Sequence, residues 1–357
     1  MPPTIAPGIL YLISPVEARL EAVDSSYGSD KNGLVWGYTF AAGSPPVAIE
    51  SEQVPPWLES TGRTSPDAFL WLHFSLSNAA SERWLRQHLS LPDEFYQSLS
   101  EEASSTRLEL EGDTLVAAIH DALFHFTLDA ESVATVYLCM TPRFLVTARL
   151  RPVRSVDRLR GAIRGGQAFR SPADLLAQLL RHQADVLMDI VRTTTTQVDG
   201  IEDKILANRI PASRSDLGGM RRTLVRLQRL LAPEPAALFR LLNRSPNWIG
   251  ADDLQELRQA AEEFAAAIAD SGALQERVKL LQEELGALLG EQAGRTLYIL
   301  TVVTVLALPI NLAAGLFGMN VGGVPFANHR LGFFLVAGGL AAFTLVAAYL
   351  ALGRRRD

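Results

Sequence analysis

Five residues in one apolar stretch near the C-terminus, Thr301, Thr304, Leu308, Asn311 and Gly315, recur at steps of three or four. That spacing places them on one face of an α-helix. Two hydroxyls, an amide and a glycine make a weakly polar stripe on an otherwise apolar helix. Uncharged oxygens of this kind can hold a hydrated cation without trapping it, and conduction needs both entry and release. Hydrogen bonding between neighbouring helices is the other use of the same residue types. The stripe leads to Gly318-Met319-Asn320 at the end of the stretch. A ring of Asn320 carbonyl oxygens, one from each of several chains, would hold the first-shell waters of a divalent ion at an entrance. Gly318 permits a sharp helix end, and Gly322, Gly323 and Pro325 shape the turn beyond it. Alone, a Gly-x-Asn terminus is also an ordinary helix cap.

The elements that must carry these residues are two apolar runs, residues 297–317 and 331–352, neither holding a Lys, Arg, Asp or Glu. Each is near the ~20 residues needed to cross a hydrocarbon core of about 30 Å. Two spans cannot enclose a water-filled path by themselves, so a transporter of this topology must assemble several identical chains. Arg354, Arg355 and Arg356 follow the second run and Arg295 precedes the first, whereas the connecting segment carries only Arg330. By the positive-inside rule both termini are cytoplasmic and the connection is external. The N-terminus shows no basic and apolar export signal, so the large leading region is expected to stay in the cytoplasm.

Composition excludes several functions. A formal net charge of -6 in 357 residues leaves no basic footprint for nucleic acid. The single cysteine, Cys139, permits no intramolecular disulfide and no multi-cysteine zinc site, and its alternating surroundings read as a strand with a buried thiol. His73, His88, His120, His125 and His182 show no paired metal spacing, and His120 and His125 would point to opposite faces of a strand. No Gly-rich phosphate loop, Gly-x-Ser-x-Gly elbow or HExxH motif is present, so the chain reads as a non-enzyme with no prosthetic group.

Ahead of the apolar runs, residues 1–170 read as a mixed α/β domain. Residues 69–76 read as a strand, 107–110 and 114–119 as a hairpin through Glu111-Gly112-Asp113, and 133–138 with 144–150 as a second hairpin. Helix starts precede 81–89 and 92–99. Residues 171–250 read as a helical hairpin, with Ser171 as N-cap ahead of Pro172 and a proline kink at Pro233 and Pro235. Its first arm is acidic and its second basic, which fits either charge pairing between the arms or two solvated faces. Residues 251–295 read as a stalk helix. Leu254, Leu257, Ala261, Phe264, Ile268, Leu274, Val278, Leu281, Leu285 and Leu288 form its apolar seam, to pack on copies of itself or along its own domain. Spans at 296–318 and 331–352, an external loop at 319–330 and a basic tail at 353–357 complete the organisation.

The stretch from Leu308-Pro309-Ile310-Asn311 through Gly318-Met319-Asn320 to Val321-Gly322-Gly323-Val324-Pro325 resembles the signature of the CorA-type metal ion transporters, in the form of the zinc-transporting ZntB branch. Trp71-Leu72-His73 and Arg149, Arg151 and Pro152 are similar to cytoplasmic parts of that branch. The resemblance implies a homopentameric funnel in a bacterial inner membrane: an α+β cytoplasmic domain, a long stalk helix and two C-terminal spans. The first spans would line the pore, with Gly318, Met319 and Asn320 as filter at its outer mouth. Magnesium-transporting members usually carry acidic residues after Gly-Met-Asn, but residues 321–330 hold none and have His329 instead. Zinc accepts imidazole more readily than magnesium does, so His329 is a candidate metal ligand or simply an interfacial loop residue. The expected cargo is Zn2+, with Mg2+, Co2+ or Ni2+ as the close alternative; a membrane-tethered coiled-coil scaffold is the alternative of another class. The partners expected are further copies of the chain, the lipid bilayer and divalent cations.

Overall fold

The structure is a computed structural model and describes residues 28–65, 67–100, 106–123, 132–207, 213–319 and 331–353. His125, Asn320, His329, Arg330 and the terminal arginines lie outside the described residues. The chain divides into two compact units, Met1–Leu281 and Gln282–Asp357.

The first unit is built on seven strands: β1 (Leu34–Phe40), β2 (Val47–Ala48), β3 (Phe69–Ser75), β4 (Arg107–Glu111), β5 (Thr114–Ala122), β6 (Val133–Met140) and β7 (Phe144–Arg149). Their order is β2-β1-β3-β7-β6-β5-β4, antiparallel throughout except for the parallel β3–β7 pair. Both hairpins expected from the sequence are present, and Gly112 turns the first with φ 61°. That left-handed conformation favours glycine.

Helices cover both faces of the sheet. On one side lie α1 (Val54–Thr64), α2 (Ala80–His88) and α3 (Asp93–Ser100), where Trp84, Leu85, Phe95 and Tyr96 meet Leu70, Leu72, Phe74, Cys139 and Val146. On the other lie α4 (Arg154–Arg164), α5 (Pro172–Leu206), α7 (Pro233–Leu242) and the start of α8 (Ala251–Phe317). There Trp36, Trp71, Leu115, Leu138 and Leu145 pack on Val156, Leu159, Leu176, Leu179, Leu238, Leu257 and Ala261. Successive strand side chains point to opposite faces, so β3, Phe-Leu-Trp-Leu-His-Phe-Ser, is buried almost along its whole length. A strand covered on both sides reads as a continuous apolar run. Cys139 sits in the α1–α3 core, and burial pushes its thiol up to about 12.

Ser171 caps α5 as expected, its Oγ accepting from the Asp174 N–H at 3.0 Å. The prolines differ from the expected kink: α6 (Ser213–Leu231) ends, and α7 starts afresh with Pro233 in its first turn. Its missing N–H has no intrahelical acceptor there, so a new helix accommodates what a continuous one would not. The acids of α5 find partners outside α6: Asp189 pairs with Arg158 at 2.5 Å, and Asp199 with Arg277 of α8 at 2.7 Å. Arg277 also holds Glu202. The apolar seam of α8 lies along its own domain over residues 257–281, with Leu257, Ala261, Phe264, Ile268, Leu274, Val278 and Leu281 all buried.

Candidate ion pathway

The second unit contains the end of α8 and α9 (Gly332–Gly353), both long and apolar enough to cross a membrane. Coverage separates them from the core helices of the first unit. In the most apolar window of α8 none of the residues is buried, and in that of α9 only 6% are. Leu297, Leu300, Leu308, Leu312, Phe333, Phe334 and Leu345 are exposed by more than half their surface. Water would not tolerate such a surface, but lipid or further subunits would cover it.

The five stripe residues share one face of α8, and all five are exposed in the single chain. Val302, Leu306, Pro309 and Ala313 are partly covered and form a second stripe, matched on α9 by Val336, Leu340, Thr344 and Ala347. At 100° per residue the polar stripe lies about 150° around the helix from the covered one. The polar stripe and the partly covered stripe thus fall on opposite sides of α8, and Val303, Val305, Ile310, Leu312 and Leu316 are exposed as well.

Local chemistry suits that placement. The Thr301 Oγ1–H donates to the Leu297 carbonyl and the Thr304 Oγ1–H to the Leu300 carbonyl, each at 2.8 Å. Back-bonding of this kind satisfies the hydroxyl donor within the helix and leaves the oxygen lone pairs facing outward as acceptors. Pro309 removes the N–H that would have served the Val305 carbonyl. At the helix end the Gly318 N–H donates to the Ala314 carbonyl at 2.9 Å and the Met319 N–H reaches Leu316 O at 3.4 Å. Gly318 is not in the left-handed region. Its use is proximity, since a Cβ there would stand 3.0 Å from the Ala314 oxygen. Met319 is exposed, and Asn320 and His329 follow outside the described residues.

Among the described histidines of the first unit, His73 is held by structural contacts. The two segments Trp71-Leu72-His73 and 144–158, far apart in sequence, become neighbours through the parallel β3–β7 pair, which sets His73 opposite Thr147. His73 Nδ1 lies 2.8 Å from Thr147 Oγ1, Trp71 Nε1–H donates to the same oxygen at 3.0 Å, and Arg149 Nε–H donates to His73 Nε2 at 3.1 Å. Burial, and then the Arg149 and Arg160 charges, hold the imidazole well below its ordinary range, so it stays neutral and accepts. His182 of α5 is also lowered by burial, against the pull of Asp185. Among the described residues no group of three or more His, Cys, Asp or Glu could hold a metal ion.

Sequence reasoning missed a buried acidic pair. Asp121 of β5 accepts from Ala122 N–H at 2.8 Å and from Ser155 N–H and Oγ–H at 2.9 and 2.6 Å. Burial nevertheless raises its carboxyl to about 6. Glu234 of α7, wholly buried near Gln183 and the His120 backbone, is pushed well above the carboxylate range, chiefly by burial. An acid in a helical first turn reads from sequence as solvated, and nothing local to Glu234 signals that the sheet covers it.

The model of the CorA-like Mg2+ transporter protein family matches residues 66–354. The divalent cation transporter CmaX of Pseudomonas aeruginosa is 25% identical over 319 residues, 88% of this chain and 95% of that protein. The zinc transport protein ZntB of Yersinia enterocolitica is 24% identical over 295 residues, 81% of this chain and 88% of that one. Among solved structures, full-length CmaX superposes with a TM-score of 0.76 at 24% identity, covering 91% of this chain and 99% of that one. The complete CorA magnesium transporter of Methanocaldococcus jannaschii gives 0.72 at 18% identity, covering 88% and 96%. These structural likenesses bear on the fold: an α+β domain, a long helix and a final helix in the same order. With the family signature running from the sheet domain through both apolar helices, the chain belongs to the CorA-like Mg2+ transporter protein family.

Proposed function

We propose that this chain carries divalent cations, Zn2+ foremost, across the bacterial inner membrane through a pore made by five copies of α8. The observation that carries the reading is the exposed polar stripe of Thr301, Thr304, Leu308, Asn311 and Gly315, on the opposite side of α8 from the partly covered one. Uncharged oxygens around a wet conduit would pass an ion that keeps its water, and a ring of Asn320 carbonyls would hold that water at the outer mouth. Gly318 and Met319 set the approach to that ring. The reading puts 296–318 and 331–352 across the bilayer, 319–330 outside, and 1–170, 171–250, the stalk 251–295 and the tail 353–357 in the cytoplasm, where Arg354 to Arg356 favour retention.

Support for zinc comes from the zinc transport proteins among the relatives and from His329 in a connection without carboxylates. Imidazole is a ready ligand for zinc and a poor one for magnesium. The second reading, a magnesium, cobalt or nickel pathway, is favoured by the family's description and by the magnesium transporter that shares the fold.

Liposomes holding the purified protein and a metal-sensitive dye, offered Zn2+, Mg2+ and Co2+ with and without a pH gradient, test both readings. Asn320→Ala is expected to abolish selective uptake while the oligomer remains intact by mass measurement. Unchanged flux and ion preference would remove Asn320 as the filter, and a protein only monomeric or dimeric in mild detergent would remove the pore.

A further inference from the structure

A cavity of about 490 Å³ opens in the first unit between β5, β6 and α6, lined by His120, Thr135, Tyr137, Arg151, Arg226 and Arg229 together with apolar residues such as Leu150 and Leu230. Its wall is fixed in place. Thr106 Oγ1–H donates to the Leu230 carbonyl at 3.2 Å and the same oxygen lies 3.3 Å from His120 Nδ1, joining α6 to the sheet. His120 and Thr135 face each other across the β5–β6 ladder, and Arg151 donates to the Val133 carbonyl at 3.2 Å.

Among the described residues, every charged side chain in the lining is an arginine. Arg226 and Arg229 stand three residues apart on α6, a spacing at which like charges on a helix repel. Among the described residues neither has an ion-pair partner, and the Arg226 Nε–H is buried with no acceptor. A buried donor on a charged group is costly to leave unmet. The guanidinium fork matches phosphate oxygens in pairs, which an ammonium does not, and hydroxyl groups such as those of Thr135 and Tyr137 suit the remaining oxygens. A volume within the ~300–1,000 Å³ of small-molecule sites exceeds what a bare oxyanion fills, and the apolar part of the wall calls for an organic group.

We propose that this pocket binds a small phosphate monoester from solution, its phosphate held by Arg226, Arg229 and Arg151 and its organic part resting on Leu150 and Leu230. The site is independent of the ion pathway and stands whether or not the zinc reading does.

Isothermal titration calorimetry on the full-length protein in detergent, at fixed ionic strength, would use AMP, inorganic phosphate and uncharged adenosine as probes. Saturable binding is expected for AMP, weaker binding for phosphate and none for adenosine. Arg226→Gln with Arg229→Gln should weaken AMP at least tenfold, and the double lysine variant should fall between, keeping charge but losing the fork. Arg229 is exposed, so Arg229→Gln alone remains informative if the double variant fails to fold, and should still weaken AMP severalfold. Absence of saturable binding by both AMP and phosphate would overturn the site, as would a folded double glutamine variant that binds AMP like the parent. Titration with phosphatidylglycerol nanodiscs separates the sources: AMP binding undisturbed by the lipid supports a soluble ligand, and displacement of AMP by it overturns that assignment.

Discussion

Leu72 and Leu345 are the same side chain in two solvents. Leu72, in the sheet of the first unit, has no accessible surface, whereas Leu345, on the second apolar helix, is 71% exposed. In the first unit the apolar side chains point inward between a sheet and helices on both faces. In the second they point outward, and only helices are found among its described residues. The hydrophobic effect explains the first arrangement. The second follows when hydrocarbon replaces water: outward apolar groups no longer cost anything, and every backbone polar group must be satisfied within its own helix. The inside of such a unit is then the place where weakly polar groups belong.

The largest break in this comparison comes from deleting bulk where it is enclosed. Trp71→Ala, in the wholly buried centre of β3 and with its indole N–H on Thr147, should cost about 3–5 kcal/mol. Leu345→Ala should stay within about 1 kcal/mol, because its neighbours are lipid-like already. All five tryptophans, Trp36, Trp57, Trp71, Trp84 and Trp248, lie in the first unit, so thermal melting followed by tryptophan fluorescence reads that unit selectively. Helical circular dichroism reads the Leu345 variant, whose helix has no tryptophan, and equal losses from both variants, each by its own probe, would erase the distinction.

Charge reverses the ranking. Leu345→Arg should oppose insertion by about 2.5–3.5 kcal/mol and drive protein out of the membrane fraction. Val47→Arg, on the exposed edge strand of the first unit, should shift stability by no more than about 0.5 kcal/mol. Normal membrane recovery of the Leu345 variant would show that the second helix is not lipid-facing.

A smaller effect sharpens the picture of the first unit. The carboxyl of Asp121 is raised from 3.8 to about 6 by burial, with Ser155 and Ala122 pulling it down. A native pKa above the unfolded one means the folded state holds the proton longer. The resulting stability is complete below the unfolded value and is lost as pH rises through about 6, at most roughly 3 kcal/mol. Glu234 acts in the same direction. Melting temperature should therefore fall between pH 4.5 and 7.5, and Asp121→Asn, which has no proton to lose, should flatten that slope. An unchanged slope in the variant would assign the dependence to other groups.

Much of the architecture was legible because periodicity is local. The hairpins turned at Gly112 and after Met140, the Ser171 cap and the two uncharged runs all announce themselves within a few residues. Two of the elements that escaped share a feature: a glycine or proline that looks like punctuation. Gly37 interrupts β1 on paper, yet a Cβ there would stand 2.9 Å from Ile49 and 3.0 Å from Leu72, so the glycine allows close packing instead of ending the strand. Pro55, Pro56 and Gly62 disguise α1 in the same way, although prolines in a first turn obstruct nothing. The arginines of α6 read either as partners of the acidic arm or as a solvated face, and the cavity they share with Arg151 and His120 is formed by strands more than seventy residues away.

From the chain alone came the alternation of the strands, the two uncharged runs, the spacing of Thr301, Thr304, Leu308, Asn311 and Gly315, and the family signature around Gly318-Met319-Asn320. Each is a pattern of neighbours, fixed by the repeat of a helix or a strand. The order of the seven strands, the burial of Asp121 and Glu234, the meeting of His73 with Arg149 and the exposure of the polar stripe were decided only by tertiary structure. They depend on which distant surface covers each residue, and coverage is a property of the packed chain that no local repeat encodes.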